Sequence, residues 1–179
     1  MGQLIDANGK EFQRPSGSYV IIFDLDGTLA DHSGRLKHLT ADNSGWDKYF
    51  AHIEEDEVVV AGAVIFNLLA TQCRQLGHLI KEKKLEAETP FVDILTGRPE
   101  KYRAQTLEWL VRQGFLMPRA IHMRPEGDFR QDAVLKIEMY EQIYKDKETV
   151  LAVFEDRERC VKAWRAAGVP CFQVCDGSF

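Results

Sequence analysis

Two aspartates, Asp24 and Asp26, follow directly after the apolar run YVIIF at residues 19–23. In an extended chain, residues two apart point to the same side, so both carboxylates can face one site while Leu25 turns into the core. Gly27 then allows the chain to leave the strand sharply. Because a desolvated carboxylate is costly unless something compensates its charge, the pair indicates a site that holds a cationic partner.

Two other apolar runs also end in polar groups. Thr96 and Arg98 follow FVDIL, and Glu155 and Asp156 follow VLAVF. Lys136 lies between them in the chain, near the start of a predicted helix. Several carboxylates that face one another repel unless a cation lies among them, and a ligand set made of oxygen favours Mg²⁺.

These residue types fit phosphoryl transfer. A carboxylate can act as a covalent nucleophile and form an aspartyl-phosphate. A metal ion and a lysine would neutralise the charge of the phosphate, so that an anion can attack it. A second carboxylate would protonate the leaving oxygen and later deprotonate the attacking water.

The elements that must position these residues alternate between strands and helices. Apolar, β-branched runs predict strands at 19–23, 91–95, 120–123, 150–154 and 171–174. Helices are predicted at 61–84, from Pro99 to Gly114, at 131–144, and around Val161 and Trp164 up to Gly168. This order predicts an α/β fold, a doubly wound (Rossmann-like) parallel sheet with helices on both faces. Ligands bind at the carboxyl ends of the strands in such sheets, where the polar residues lie.

The apolar spacing also predicts which helix faces are buried. The inner face of the helix at 61–84 is expected to carry Ile65, Leu68, Leu69, Leu76, Leu79 and Ile80. The inner face of the helix at 131–144 is expected to carry Val134, Ile137 and Tyr144.

The chain divides into an arm and a core with an insertion. A hairpin or a loose arm is predicted for residues 1–18, and the core is predicted for residues 19–179. Residues from about 31 to 60 predict a small, largely helical cap, inserted after the first strand, that covers the site and selects substrate. Three aromatic residues lie in that insertion, and either base stacking or cap packing accounts for them: Trp46, Tyr49 and Phe50.

Composition narrows the class of protein. The 179 residues carry a net charge of −5, so the whole surface does not indicate nucleic-acid binding. Four arginines near the motifs nevertheless predict a basic pocket rim, although a solvated surface explains any one of them: Arg35, Arg124, Arg130 and Arg157. No apolar stretch is long enough to cross a bilayer, and the N-terminus lacks a secretory signal, which predicts a cytoplasmic protein without a membrane partner. The four cysteines form no C-x-x-C pair, so reduced, mostly buried thiols are expected.

Four segments together resemble the motifs of the haloacid dehalogenase superfamily: "DLDGT", "LTGR", the lysine of "DAVLK" and "FEDR". The resemblance implies an Mg²⁺-dependent phosphatase with Asp24 as nucleophile and Asp26 as general acid/base. It further implies that Thr96 and Gly97 bind phosphate and that Lys136 orients the nucleophile. The implied metal ligands are Asp24, the backbone carbonyl of Asp26, and Asp156, with Glu155 as a possible outer-shell group.

The sequence resembles more narrowly the phosphatase domain of phage polynucleotide kinase, over "HSGR", "MRPEGDFRQDAVLK" and the last 25 residues. That resemblance implies substrate-phosphate contacts from Arg35 and Arg98, and Arg130 is a further candidate for such a contact. This chain departs from that domain in two ways. The acidic pair after the fourth strand is Glu155-Asp156, where two aspartates are usual, and no G-x-x-x-x-G-K-[ST] motif of a kinase half occurs in the sequence.

The implied reaction is removal of a 3′-phosphate from DNA or RNA ends. One alternative is a phosphatase of free nucleoside monophosphates, and another is a catalytically silent relative that binds nucleic acid. A calcium loop does not fit, because Gly27 is fourth from Asp24 and a buried strand precedes the motif.

Overall fold

The computed structural model describes residues 18–39, 45–85 and 87–177. The predicted arm, residues 1–18, lies outside the described residues except for Ser18. The strands are β1 (Ser18–Phe23), β2 (Ala30–Asp31), β3 (Glu57–Val58), β4 (Pro90–Pro99), β5 (Ile121–Arg124), β6 (Glu148–Arg157) and β7 (Cys171–Gly177). The α-helices are α1 (Trp46–Ala51), α2 (Val60–Lys83), α3 (Arg103–Arg112), α4 (Asp132–Ile143) and α5 (Glu158–Ala166).

Five strands form one parallel sheet in the order β5-β4-β1-β6-β7. Alternate residues of the central strand β1 face opposite sides of it. Ile21 and Phe23 pack with α2 and α3, whereas Val20 and Ile22 pack with α4 and α5. The predicted doubly wound α/β fold with helices on both faces is therefore confirmed, and β1 delivers its last residues to the middle of the sheet edge.

The insertion after β1 consists of short elements. It contains 3₁₀ turns at Ser33–His38 and Ile53–Glu55 and the short helix α1. Its two ends pair as the antiparallel strands β2 and β3. Since β2 begins four residues after Asp26, the insertion starts and ends beside the acidic motif.

The predicted inner face of α2 is wrong. Four of its members are exposed: Ile65, Leu68, Leu76 and Leu79. The buried positions are Gly62, Phe66, Ala70 and Cys73. A Cβ at Gly62 would lie 2.0 Å from the carbonyl oxygen of Thr28, so the glycine lets the helix approach the acidic turn closely. This approach fixes the rotation of a helix that has apolar residues on several sides.

Two smaller predictions also fail. Pro99 does not begin a helix: it is extended (φ −63°, ψ 144°) and pairs with Arg124, so β4 continues past its apolar run. Val134 is exposed on α4, which instead buries Leu135 and Met139 in the core. In both places a tertiary contact decides the outcome.

Among the described residues, no helix combines the length and the apolar character that crossing a membrane requires. The described cysteines form no disulfide, and three of them are buried, as expected: Cys73, Cys160 and Cys171.

Candidate active site at the carboxyl ends of the strands

The first aspartate of the motif lies against the predicted lysine. The backbone N–H of Asp24 donates to the carbonyl of Phe154 (2.9 Å), which places Asp24 between the ends of β1 and β6. The Lys136 Nζ lies 2.7 Å from Asp24 Oδ1 and 2.7 Å from Glu155 Oε2. All three side chains are buried. The lysine from α4 thus bridges carboxylates from two neighbouring strands.

Asp156 completes a cluster of three acids. One carboxylate oxygen each from Asp24, Glu155 and Asp156 can be chosen so that all lie within 4.8 Å of one another. Asp156 is fully buried, and neither of its oxygens accepts a hydrogen bond from a described residue. Gly27 (φ +89°) passes over it so closely that a Cβ would lie 2.2 Å from Asp156 Oδ2. Buried oxygen donors without hydrogen-bond partners fit a hard divalent cation.

The titration of this cluster follows from its charge balance. Burial, then the charge of Glu155, raises the pKa of Asp24 well above its usual range, although Lys136 opposes the shift. Burial and Glu155 likewise raise the pKa of Asp156 to about 7. Burial disfavours the ammonium ion, but the charges of Asp24 and Glu155 hold the pKa of Lys136 well above its usual value. One lysine does not balance three carboxylates, so the cluster takes up either protons or a cation.

The second aspartate of the motif lies in a different cluster, made of two arginines and two acids. Arg35 NH2 lies 2.5 Å and Arg98 NH2 lies 2.6 Å from Asp26 Oδ1. The same guanidiniums bind Asp56, at 2.5 Å from Arg35 Nε to Oδ1 and 2.8 Å from Arg98 NH2 to Oδ2. Arg35 is 1% exposed and Arg98 is 0% exposed. Such buried, multiply bonded arginines are held in fixed orientations.

The two acids of this cluster differ in proton affinity. Burial favours the neutral form of Asp26, but the charges of Arg98 and Arg35 outweigh it and hold the pKa of Asp26 well below its usual range. Burial raises the pKa of Asp56 to about 6 despite the opposing charges of Arg35 and Arg98. A proton taken up by the cluster is therefore held by Asp56 first, and Asp26 stays ionised while both arginines contact it.

Aromatic residues of the insertion and of α3 hold this cluster in place. The Tyr49 ring stacks under Arg35, with the guanidinium carbon 4.2 Å from the ring centroid. The Tyr49 hydroxyl lies 2.7 Å from His32 Nδ1. Trp109 of α3 donates from Nε1 to the carbonyl of Asp56 (2.9 Å). Tyr49 is buried in these contacts, so cap packing accounts for it and base stacking does not.

The turn after β4 is held by its own contacts. Thr96 is buried, and its Oγ1 accepts a hydrogen bond from the Arg98 backbone N–H (3.2 Å). Gly97 lies against Asp132, where a Cβ would come within 2.7 Å of Oδ1. Arg124 donates from Nε to the carbonyl of Gly97 (3.0 Å) and forms an ion pair with Asp132. The turn predicted to bind phosphate is thus tied to β5 and to the first turn of α4.

The other arginines do not form an uncompensated basic rim. Arg157 pairs with Asp132, which already pairs with Arg124. The described hydrogen bonds of the Arg130 guanidinium go to Asp128 and Glu138 and not to the acids around Asp24. The predicted rim is therefore corrected to a charge-balanced one, and substrate contact by Arg130 stays a prediction.

Two residues of the site, Asp56 and Asp132, were not predicted from the sequence. Asp56 is one acid in the run Glu54–Glu57, and nothing in its spacing distinguishes it from its neighbours. Asp132 did carry a signal, because it precedes Lys136 by four residues and therefore lies one helical turn away on the same face.

Comparison with solved structures shows which known proteins share this fold. The chain superposes on a structure of the Pnkp1/Rnl/Hen1 complex with a TM-score of 0.71 and 26% identity, covering 94% of this chain and 50% of that one. It also superposes on the class C acid phosphatase of Bacillus anthracis with tungstate bound, with a TM-score of 0.56, 12% identity, and coverage of 92% and 69%. At that identity the second match shows the fold alone. The fold and the motif residues define a phosphatase of the haloacid dehalogenase superfamily.

Sequence comparison identifies the family within this superfamily. The model of the phosphatase domain of polynucleotide kinase PNKP matches residues 69–179, more than half of the chain, so the protein belongs to that family. A protein of Autographa californica nuclear polyhedrosis virus that carries the name bifunctional polynucleotide kinase/RNA ligase is 23% identical over 177 residues, 97% of this chain and 22% of that protein. This chain thus spans about a fifth of that relative and half of the Pnkp1/Rnl/Hen1 chain.

Proposed function

We propose that this phosphatase is Mg²⁺-dependent and removes the 3′-phosphate from DNA or RNA ends through an aspartyl-phosphate on Asp24. The observation that carries the proposal is the pairing of two clusters at one sheet edge. On one side Lys136, Glu155 and Asp156 surround Asp24, and on the other Arg35 and Arg98 converge on Asp26. The family supports a substrate at a nucleic-acid end.

Asp24, Asp156 and the backbone carbonyl of Asp26 would hold the metal ion. When bound, Mg²⁺ supplies positive charge to the phosphate and to the acids. Asp156 fits this role best, since its buried oxygens accept no hydrogen bond from the described residues. Glu155 accepts from Lys136 and remains a proposed outer-shell group, and the backbone carbonyl of Asp26 remains a proposed ligand.

The reaction proceeds in two displacements. A carboxylate oxygen of Asp24 attacks phosphorus, the bond from phosphorus to O3′ breaks, and Asp26 gives its proton to the leaving oxygen. Water then attacks the phosphorus of the aspartyl-phosphate, and Asp26 accepts the proton of that water. The bond from phosphorus to the Asp24 oxygen breaks, which releases inorganic phosphate and restores the Asp24 carboxylate. Lys136 holds Asp24 in place and counters the charge that builds up during both steps.

Arg35 and Arg98 couple substrate binding to the protonation of Asp26. While Arg35 and Arg98 contact Asp26, its pKa is low and it makes a poor acid. A substrate phosphate that draws the guanidiniums toward itself weakens their hold on Asp26 and raises its pKa. Substrate binding would thus prepare Asp26 for protonation before the leaving group departs.

The test is phosphate release by the full chain from a 3′-phosphorylated oligonucleotide, with Mg²⁺ and with EDTA. We expect release that requires Mg²⁺ and that Asp24→Asn abolishes while circular dichroism shows the fold retained. Near-normal turnover by Asp24→Asn would contradict the aspartyl-phosphate mechanism. A higher kcat/KM for the matching 3′-mononucleotide than for the oligonucleotide would favour the free-nucleotide alternative.

A further inference from the structure

The most exposed large apolar side chain among the described residues is Phe129, at 95%. It lies in the connection between β5 and α4. Burying such a ring stabilises a fold, so a ring left in solvent has no packing role there. The other aromatic residues considered for base stacking are packed together, with Trp46 against Tyr49 and Phe50.

The connection that carries Phe129 is not loose. The Arg124 NH1 donates to the carbonyls of Asp128 (3.2 Å) and Arg130 (2.8 Å), one on each side of Phe129. The Asp128 carboxylate accepts from the Arg130 backbone N–H (3.0 Å), and the Asp128 N–H donates to the carbonyl of Pro125 (3.2 Å). These bonds fix the backbone on both sides of the ring, so the ring is presented from a preorganised loop.

The same guanidinium ties this loop to the phosphate-binding turn. Arg124 Nε donates to the carbonyl of Gly97 (3.0 Å), directly after Thr96. The Arg124 guanidinium therefore connects the two neighbours of Phe129 to the turn that would hold the phosphate. In a 3′-phosphorylated end, the base and the phosphate are on the same sugar, so a base would lie just outside a phosphate bound at that turn.

We propose that Phe129 is the stacking platform for the terminal base of the substrate, an inference that rests on the proposed function. An aromatic face accepts any base, because each base has a π-face. Arg124, Arg130 and Arg157 are balanced by Asp128, Asp132 and Glu138, so these ion pairs add no net positive charge near the ring. Stacking thus supplies a contact to the nucleoside that phosphate binding does not, and it distinguishes a nucleotide end from other phosphate monoesters.

The test compares kcat/KM for a 3′-phosphorylated oligonucleotide with that for glycerol 2-phosphate, a phosphate monoester without an aromatic ring. We expect Phe129→Ala to lower the ratio of the two about tenfold, equivalent to about 1.4 kcal/mol. Phe129→Tyr should keep the ratio, because it retains the aromatic face, and Phe129→Leu should lower it. Leu68→Ala, which removes a 59% exposed side chain on α2, is the matched surface control and should leave the ratio unchanged.

An oligonucleotide with an abasic terminal sugar separates stacking from other causes. Its 3′-phosphate should be hydrolysed equally well relative to glycerol 2-phosphate by the wild type and Phe129→Ala. An unchanged ratio in Phe129→Ala, or an equal fall on abasic ends, would overturn the inference while leaving the proposed function intact. A wild-type protein that hydrolyses glycerol 2-phosphate but no oligonucleotide end would refute both.

Discussion

Replacing Lys136 with methionine tests the charge balance around Asp24 most directly. The side chain of methionine has nearly the length and volume of lysine without its charge, so the change removes the ammonium group and preserves packing. In the wild type the ammonium group lies 2.7 Å from both Asp24 and Glu155, and it is 2% exposed. The substitution leaves three buried carboxylates with no cation from α4.

The size of the effect follows from that burial. Breaking a buried ion pair by removing one partner costs about 3–5 kcal/mol, because the remaining charge is left uncompensated. Protonation of the acids relieves part of this cost, since Asp24 and Asp156 already have raised pKa values. We therefore expect the free energy of unfolding of Lys136→Met without metal to fall by about 3 kcal/mol at pH 7. Saturating Mg²⁺ should recover more stability in the variant than in the wild type, because it supplies the missing positive charge.

The measurement is urea unfolding followed by tryptophan fluorescence, in EDTA and in Mg²⁺. Lys162→Met is the matched control: Lys162 is 70% exposed and pairs with Glu158 on α5, so its loss should change the free energy of unfolding by less than about 0.5 kcal/mol. Lys136→Met within about 1 kcal/mol of the wild type in EDTA would refute the reasoning, as would equal stabilisation of both proteins by Mg²⁺.

Two further predictions concern the other acids. Asp56→Asn should lower kcat/KM for a 3′-phosphorylated oligonucleotide by about 10–100-fold, because an amide NH₂ would face the guanidiniums that Asp56 now orients. Glu54→Gln on the same segment is its control, and equal kinetics for the two variants would show that the arginines do not depend on Asp56. The raised pKa of Asp156, about 7, means that the folded protein without metal holds a proton that the unfolded chain has lost. That contribution to stability is complete at low pH and is lost as pH rises through about 7, so the advantage of the wild type over Asp156→Asn in EDTA should fall by about 1 kcal/mol per pH unit from pH 5 to 7. Parallel stability curves from urea unfolding at these pH values would contradict it.

The sheet and the residues at its carboxyl edge could be predicted from the residue pattern of the chain. Apolar runs alternate with helical patterns, and a parallel sheet brings the carboxyl ends of its strands together whatever the details of packing. For this reason Asp24, Thr96 and Asp156 could be predicted to share a site. Lys136 required the order of the motifs as well, because a lysine near the start of a helix is usually solvated.

The contribution of the insertion could not be predicted from local sequence. Asp56 meets Arg35 and Arg98, respectively 21 and 42 residues away, because Tyr49 and Trp109 hold the segment in place. Nothing local distinguishes Asp56 from the acids beside it, since its role comes from contacts between distant segments.

The rotation of α2 and the position of Phe129 beside the site also depend on tertiary contacts. Apolar residues on several sides of a helix fit more than one rotation, and the close approach of Gly62 to Thr28 selects one. Phe129 is an ordinary loop residue in the sequence. Its exposed ring gains a proposed role only because Arg124 ties both of its neighbours and the carbonyl of Gly97 to one guanidinium. Local patterns specify elements and their order, whereas the contacts that align a helix face or a loop with a site exist only in the folded chain.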